Sequence, residues 1–153
     1  MSIIAVLENQ YRDIDNKLYS REFAAIGDGN EEDEKDCRYK RELNSHAYFL
    51  FLFTRLEDHI RKQSKILFTN KLASEANWRQ RAIWDISNHD DLHFKKMVAL
   101  LTEKGKKNYN TIIEYYDIRN QIGHGETIED FIKKVNMSSV FEDMKKLLVQ
   151  VVA

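Results

Sequence analysis

The stretch Ala47-Tyr48-Phe49-Leu50-Phe51-Leu52-Phe53 decides the fold class. So aromatic a run suits a buried strand, whose pleated surface accepts such side chains well. It equally suits a helix whose every face is buried. The flanks settle the choice: no turn signal stands on either side, and helix-forming residues continue in both directions. A helix is therefore expected from about Cys37 to about Phe68. Its inward stripe is read as Tyr39, Leu43, Ala47, Leu50, Phe53 (or Thr54), Glu57 and Ile60, at spacings of three and four. Seven apolar residues fall well short of the roughly 20 that cross a bilayer, so the segment is read as core.

Outward from that helix the punctuation is sparse. The chain of 153 residues has no proline and five glycines, which removes the usual signals of multi-strand, loop-rich folds. Upstream, Ile4, Leu7, Tyr11, Ile14 and Leu18 form one face of an amphipathic helix over about 2–25. Gly27-Asp28-Gly29-Asn30 breaks it, and the acidic run through Asp36 is read as the rest of a solvated loop. Downstream, Trp78, Ala82 and Ile86 suggest a third helix, with Trp84 turned towards another neighbour. A fourth is expected from about Asp90 to Glu103, with Leu92, Met97, Leu100 and Leu101 inward and Gly105 closing it. A fifth covers about Asn108 to Gln121. Thr127 with Asp130, and Ser139 with Glu142, resemble capping boxes for two short C-terminal helices. The expectation is all-α: one domain over 1–153, an up-and-down helical bundle with short additional C-terminal helices.

Charge is nearly balanced, 24 Lys+Arg against 25 Asp+Glu, which at first disfavours a nucleic-acid binder. The balance conceals a gradient. Residues 1–36 hold 4 basic and 10 acidic side chains, whereas 37–81 hold 10 basic and 4 acidic. Some of those ten, Arg38, Lys40, Arg41, Arg55, Arg61, Lys62, Lys65, Lys71, Arg79 and Arg81, are candidates to line a path for phosphates. The single cysteine, Cys37, excludes an intramolecular disulfide and fits a reducing, cytoplasmic setting. The N-terminus lacks a basic leader and its short apolar run turns polar at Glu8, so no signal peptide is expected.

Chemistry concentrates in Arg119-Asn120-Gln121-Ile122-Gly123-His124-Gly125. On an unbroken helix Arg119 and His124 would point about 140° apart. The glycines on either side of His124 are expected to turn the chain and bring the imidazole back towards the guanidinium. Histidine serves as acid or base near neutrality. Arginine offers paired donors to phosphate oxygens, and asparagine can orient the histidine or donate to the phosphate. Such a trio suits metal-free cleavage of RNA, in which the 2′-hydroxyl attacks the adjacent phosphate; DNA lacks that hydroxyl.

Arg-Asn-x-x-x-His at the end of a late helix in a small all-α domain resembles the HEPN superfamily (higher eukaryote and prokaryote nucleotide-binding). Its ribonuclease members share an Arg-x(4–6)-His motif, commonly with a polar residue after the arginine; Arg119, Asn120 and His124 match it. The resemblance implies a homodimer with both motifs facing one composite cleft, and metal-independent endoribonuclease activity without a cofactor. It also implies a toxin or phage-defence effector, with an antitoxin or defence-system partner. Glu126 stands where toxins controlled by nucleotide transfer commonly carry a tyrosine, so that mode of control is not expected. The bare spacing is weak, because Arg41 and His46 repeat it inside a continuous helix, with Glu42 after the arginine and no glycine nearby.

Two other readings stay open. A catalytically inactive HEPN-like module for dimerisation, nucleotide binding or partner binding fits the same residues. His89 and His93, four apart, would share a helix face able to hold a divalent metal, although ordinary capping by His89-Asp90-Asp91-Leu92-His93 is simpler. His59, beside Glu57 and Asp58, is expected to pair with a carboxylate. Glu57 falls on the apolar stripe and is expected to be half-buried and hydrogen-bonded, with a supporting role near the cleft. Trp78 and Trp84, flanked by Arg79 and Arg81, are candidates for base stacking or for core.

Overall fold

The corner at Gly27–Asn30 shows how local chemistry shapes the chain. Gly29 adopts φ +69°, its N–H bonds the carbonyl of Ile26 at 3.2 Å, and the Asn30 N–H reaches that of Ala25 at 2.9 Å. This paired closure ends a helix in a left-handed residue, which glycine enters without a Cβ clash. Asn30 at once starts the next helix: its Oδ1 accepts from the Asp33 N–H at 3.2 Å. The acidic run is therefore not a loop. Glu31, Glu32, Asp33 and Glu34 form the first turn of that helix, where the N–H ends of the peptide dipoles favour negative charge.

The computed structural model describes residues 2–74, 78–85, 89–124 and 130–153. It is all-α, and no strand occurs among the described residues. The elements are α1 (Ile3–Gly27), α2 (Glu31–Ser74), α3 (Trp78–Asp85), a 3₁₀ turn (His89–Asp91), α4 (Phe94–Leu101), α5 (Lys107–Gly123), α6 (Phe131–Lys134) and α7 (Met137–Gln150). None of the helices is long and apolar enough to cross a membrane. Two compact units emerge, one of residues 1–53 with 118–145, the other of 54–117 with 146–153.

In the first unit, Tyr11 of α1 shares a 3.1 Å hydrogen bond with Ser45 of α2. Its ring meets Tyr48 edge-on at 5.4 Å and Phe141 of α7 at 5.7 Å. Burial raises the Tyr11 phenol's pKa, against the lowering by the Ser45 bond. Phe131, wholly buried on the short α6, is met by Phe49 and by the His46 ring, at 5.8 and 4.5 Å. Glu42, itself buried, accepts from the Ile132 N–H at 3.0 Å and so satisfies one of the orphan donors that open α6. Lys145 joins Glu142 at 2.8 Å and Glu8 at 2.7 Å.

The buried face of α2 differs from the expected stripe. Phe49, Leu52, Phe53, Leu56 and Ile60 are fully buried, but so are Ser45 and Ser64, with Glu42 and His46 close behind. Tyr39 and Leu43 stand 57% and 45% exposed. Phe51, at 45%, shows that the apolar run is not covered on every face.

The second unit is drawn together by chain ends and ring contacts. His59 contacts the Val151 carbonyl through Nε2 at 2.7 Å, so its partner is main chain and not a carboxylate. The Ala153 N–H donates to Gln63 Oε1 at 3.0 Å. Phe94 stacks on Tyr116 at 4.8 Å, and Trp84 meets Phe68 edge-on at 5.4 Å. That contact makes Trp84 a packing residue; the side chain of Trp78 lies outside the described residues. The fourth helix begins later than expected: His93, not Asp90, is the N-cap of α4, its Nδ1 accepting from the Lys95 N–H at 3.4 Å. Asn136 caps α7 through Ser139 N–H at 3.2 Å, which puts Ser139 inside the helix and overturns it as the cap. Asp130 precedes α6 in a left-handed conformation without a side-chain cap bond, and Thr127 lies outside the described residues.

Candidate functional site

Arg119, Asn120 and His124 occupy the last turns of α5 and the residue after it. Arg119 and Asn120 are half-buried and His124 is exposed. Arg119 Nη1 donates to Asn120 Oδ1 at 3.1 Å. Asn120 also accepts from the His124 N–H through its main-chain carbonyl, at 3.0 Å. One asparagine thus holds the arginine by its side chain and the histidine's backbone by its carbonyl.

That second bond corrects the expected local geometry. It is an i→i−4 helical bond, so α5 continues through Gly123 and the chain does not turn before His124. Gly123 has no positive φ. Its lack of a side chain has another use: Arg119 Nη1 lies 3.9 Å from where a Cβ would stand. The guanidinium thereby runs along the helix over the glycine. With helical geometry carried to His124 by that bond, the Cα–Cβ directions of Arg119 and His124 are expected about 140° apart. Gly125, the second bracketing glycine, and Glu126 lie outside the described residues.

Glu57 belongs to the second unit. It is half-buried as expected and accepts from Arg61 Nη2 at 2.7 Å. His89 and His93 do not share a helix face, since a 3₁₀ turn carries the first and the second caps α4. Among the described residues no cluster of metal-ligating side chains forms.

The Arg41/His46 pair, which repeats the motif's spacing, is built into structure. Arg41 donates from Nε and Nη2 to Asp15, at 2.9 and 3.3 Å, and from Nη1 to Glu22 at 2.8 Å. Its guanidinium also lies over the Tyr19 ring, 4.9 Å from the centroid. Burial disfavours its charge, but the bonds to Asp15 and Glu22 outweigh that and raise its pKa. His46 is buried, its Nε2 has no hydrogen-bond partner among the described residues, and burial lowers its pKa against the pull of Glu42.

Sequence reading missed one feature beside this pair. A cavity of about 620 Å³ opens between α1, Arg41 and the segment 132–138, with Arg12, Asp15, Lys133 and Lys134 on its walls. Most of its cations are already engaged: Arg12 with Glu8, Arg41 with Asp15 and Glu22, and Lys133 with Asp130. Lys133 and Arg38 together hold the Asp130 carboxyl below its usual range. No linear spacing signals this cavity, because the segment 132–138 lies about 90 residues or more from its other walls.

Comparison of the chain with protein-family models, curated proteins and solved structures finds no match.

Proposed function

We propose that this chain is a metal-independent endoribonuclease of the HEPN type, acting as a homodimer in a toxin or phage-defence role. The observation that carries the reading is the Arg119–Asn120–His124 arrangement at the exposed end of α5. The guanidinium is oriented by a side-chain amide, and an imidazole follows four residues after that amide. The divergence of Arg119 and His124 on one helix favours a composite site, in which two copies of α5 bring an arginine and a histidine to one phosphate.

In this reading His124 takes the 2′-hydroxyl proton and O2′ attacks phosphorus. Arg119 donates to the non-bridging oxygens as their charge builds. The P–O5′ bond breaks, the leaving oxygen takes a proton, and a 2′,3′-cyclic phosphate and a 5′-hydroxyl remain. Asn120 holds Arg119 in place. No metal or cofactor enters the scheme; RNA is the substrate, and a neutralising antitoxin or defence-system protein is the expected partner.

Incubating purified protein with total RNA in EDTA tests this. Wild type is expected to cut; Arg119→Ala and His124→Ala are expected to lose about 10²–10⁴-fold in rate while keeping wild-type helicity. Loss of wild-type cutting in EDTA would refute the metal-free mechanism. The continuous helix through Gly123 favours one other reading, an inactive HEPN-like module for dimerisation or nucleotide binding. That reading requires intact RNA and normal growth on overexpression.

A further inference from the structure

The pair His89-Asp90 is not used by the function proposed above. Neither are the basic residues on the facing turn of α2. Arg61, Lys62 and Lys65 lie at i, i+1 and i+4, on one side of that helix. With His89, Asp90 and Met97 they enclose a cavity of about 220 Å³ in the second unit. Lys62 has no ion-pair partner among the described residues, whereas Arg61 is held by Glu57.

Ser64 Oγ donates its only proton to the Arg61 carbonyl at 3.0 Å. The same oxygen lies 2.8 Å from His89 Nε2; with the hydroxyl proton on the Arg61 carbonyl, Nε2 carries the ring proton and donates. His89 is 91% buried, being 9% exposed, and its Nδ1 has no hydrogen-bond partner among the described residues. An anion stands close to it. Asp90 Oδ1 stands 3.5 Å from Nδ1 and 3.9 Å from Lys65 Nζ, outside good hydrogen-bond reach of both. In the neutral ring Nδ1 is an acceptor facing an acceptor.

We infer that this cavity is a subsite for a phosphomonoester, with the exposed Asp90 carboxylate standing in the position that the ligand takes. A phosphomonoester supplies what Asp90 cannot. Its P–OH donates to Nδ1, while its charged oxygens accept from Lys62 and Lys65. A phosphodiester and sulfate carry no such proton near neutrality and are disfavoured. The cavity has room for one phosphate and part of its sugar. The inference does not depend on the roles given to Arg119 and His124.

Calorimetric titration of the full chain tests it, with inorganic phosphate, sulfate, a nucleoside 5′-monophosphate, and one RNA oligonucleotide bearing either a 5′-phosphate or a 5′-hydroxyl. Phosphate is expected to bind more tightly than sulfate, and 5′-phosphorylated RNA more tightly than its 5′-hydroxyl form. Lys62→Gln alters an unpaired surface side chain and should weaken both phosphate-bearing ligands by about tenfold, the loss of one charge-assisted bond. Asp90→Asn removes the competing anion and should tighten them severalfold. Equal affinity of mononucleotide and phosphorylated RNA identifies a small ligand; preference for the RNA identifies a strand end. The inference is overturned if Asp90→Asn protein shows no saturable phosphate binding. It is also overturned if Lys62→Gln weakens the two RNA forms equally, or if sulfate binds as well as phosphate.

Discussion

Arg41→Met is the substitution whose consequence the structure defines most sharply. It removes three charge-assisted hydrogen bonds, two to Asp15 and one to Glu22. The side chains are 15%, 20% and 12% exposed respectively, so solvent screens the network only in part. Breaking a fully buried ion pair by deleting one partner costs about 3–5 kcal/mol, chiefly because the remaining charge stays desolvated. Losing the cation–π contact with Tyr19 adds about 0.5–1 kcal/mol. Methionine keeps most of the aliphatic stem, and the residual exposure lets water reach the stranded carboxylates. The expected net loss is about 2–4 kcal/mol, read as a lower urea midpoint at unchanged slope. Adding Asp15→Asn and Glu22→Gln to Arg41→Met removes the stranded charges and should restore most of that stability. A single variant that loses less than about 1 kcal/mol, or a triple variant no more stable than the single, would refute this account. So would Arg41→Met protein that folds normally yet no longer cuts RNA, since that places Arg41 in the site and not in the scaffold.

Two other perturbations probe the same unit. His46→Leu removes a buried ring nitrogen that has no partner among the described residues, and loses an edge contact to Phe131. These opposing effects are each about 1 kcal/mol, so thermal stability at pH 8 should change little. Wild type should behave differently in acid. The His46 pKa is lowered on folding from its ordinary 6.5, so the unfolded chain binds a proton that the folded chain refuses. Stability is then full above about pH 6.5 and falls below it, and His46→Leu should flatten that slope; an unchanged slope would remove His46 as its source. Asn136→Ala deletes the cap of α7 and should cost about 1 kcal/mol in urea unfolding. Ser139→Ala should cost less, and the reverse order would restore Ser139 as the cap.

Helix existence was legible because nothing in the chain interrupts it: without proline and with few glycines, apolar residues at spacings of three and four have one economical reading. Which way α2 faces was not legible. Periodicity gives a helix's face only when apolar and polar residues separate cleanly, and between Ala47 and Phe53 they do not. Outside that run the buried face includes polar side chains with specific partners. Ser45 bonds Tyr11, Glu42 receives the Ile132 N–H, and Ser64 receives His89. A polar group whose hydrogen bonds are met can be buried at little cost, so polarity at these positions misled the phase by about one residue. Tyr39 and Leu43, apolar but off that face, stand exposed in consequence.

The direction of the candidate motif was not legible in the sequence, and the reason is glycine. A glycine permits a turn without requiring one. Gly29 does turn, because the Asn30 N–H behind it finds the Ala25 carbonyl and Asn30 starts a new helix. Gly123 does not, because the His124 N–H finds Asn120 and the helix continues. Neither difference is written at the glycine itself; it lies in which carbonyl the following N–H can reach. The same reasoning separates the two Arg-x4-His pairs. Arg41 is consumed by carboxylates 26 and 19 residues upstream, partners that no spacing rule within the motif could reveal. Arg119 is oriented by the amide directly after it. The two pairs therefore differ in the amide that follows Arg119, against the carboxylate that follows Arg41, and not in the interval to the histidine.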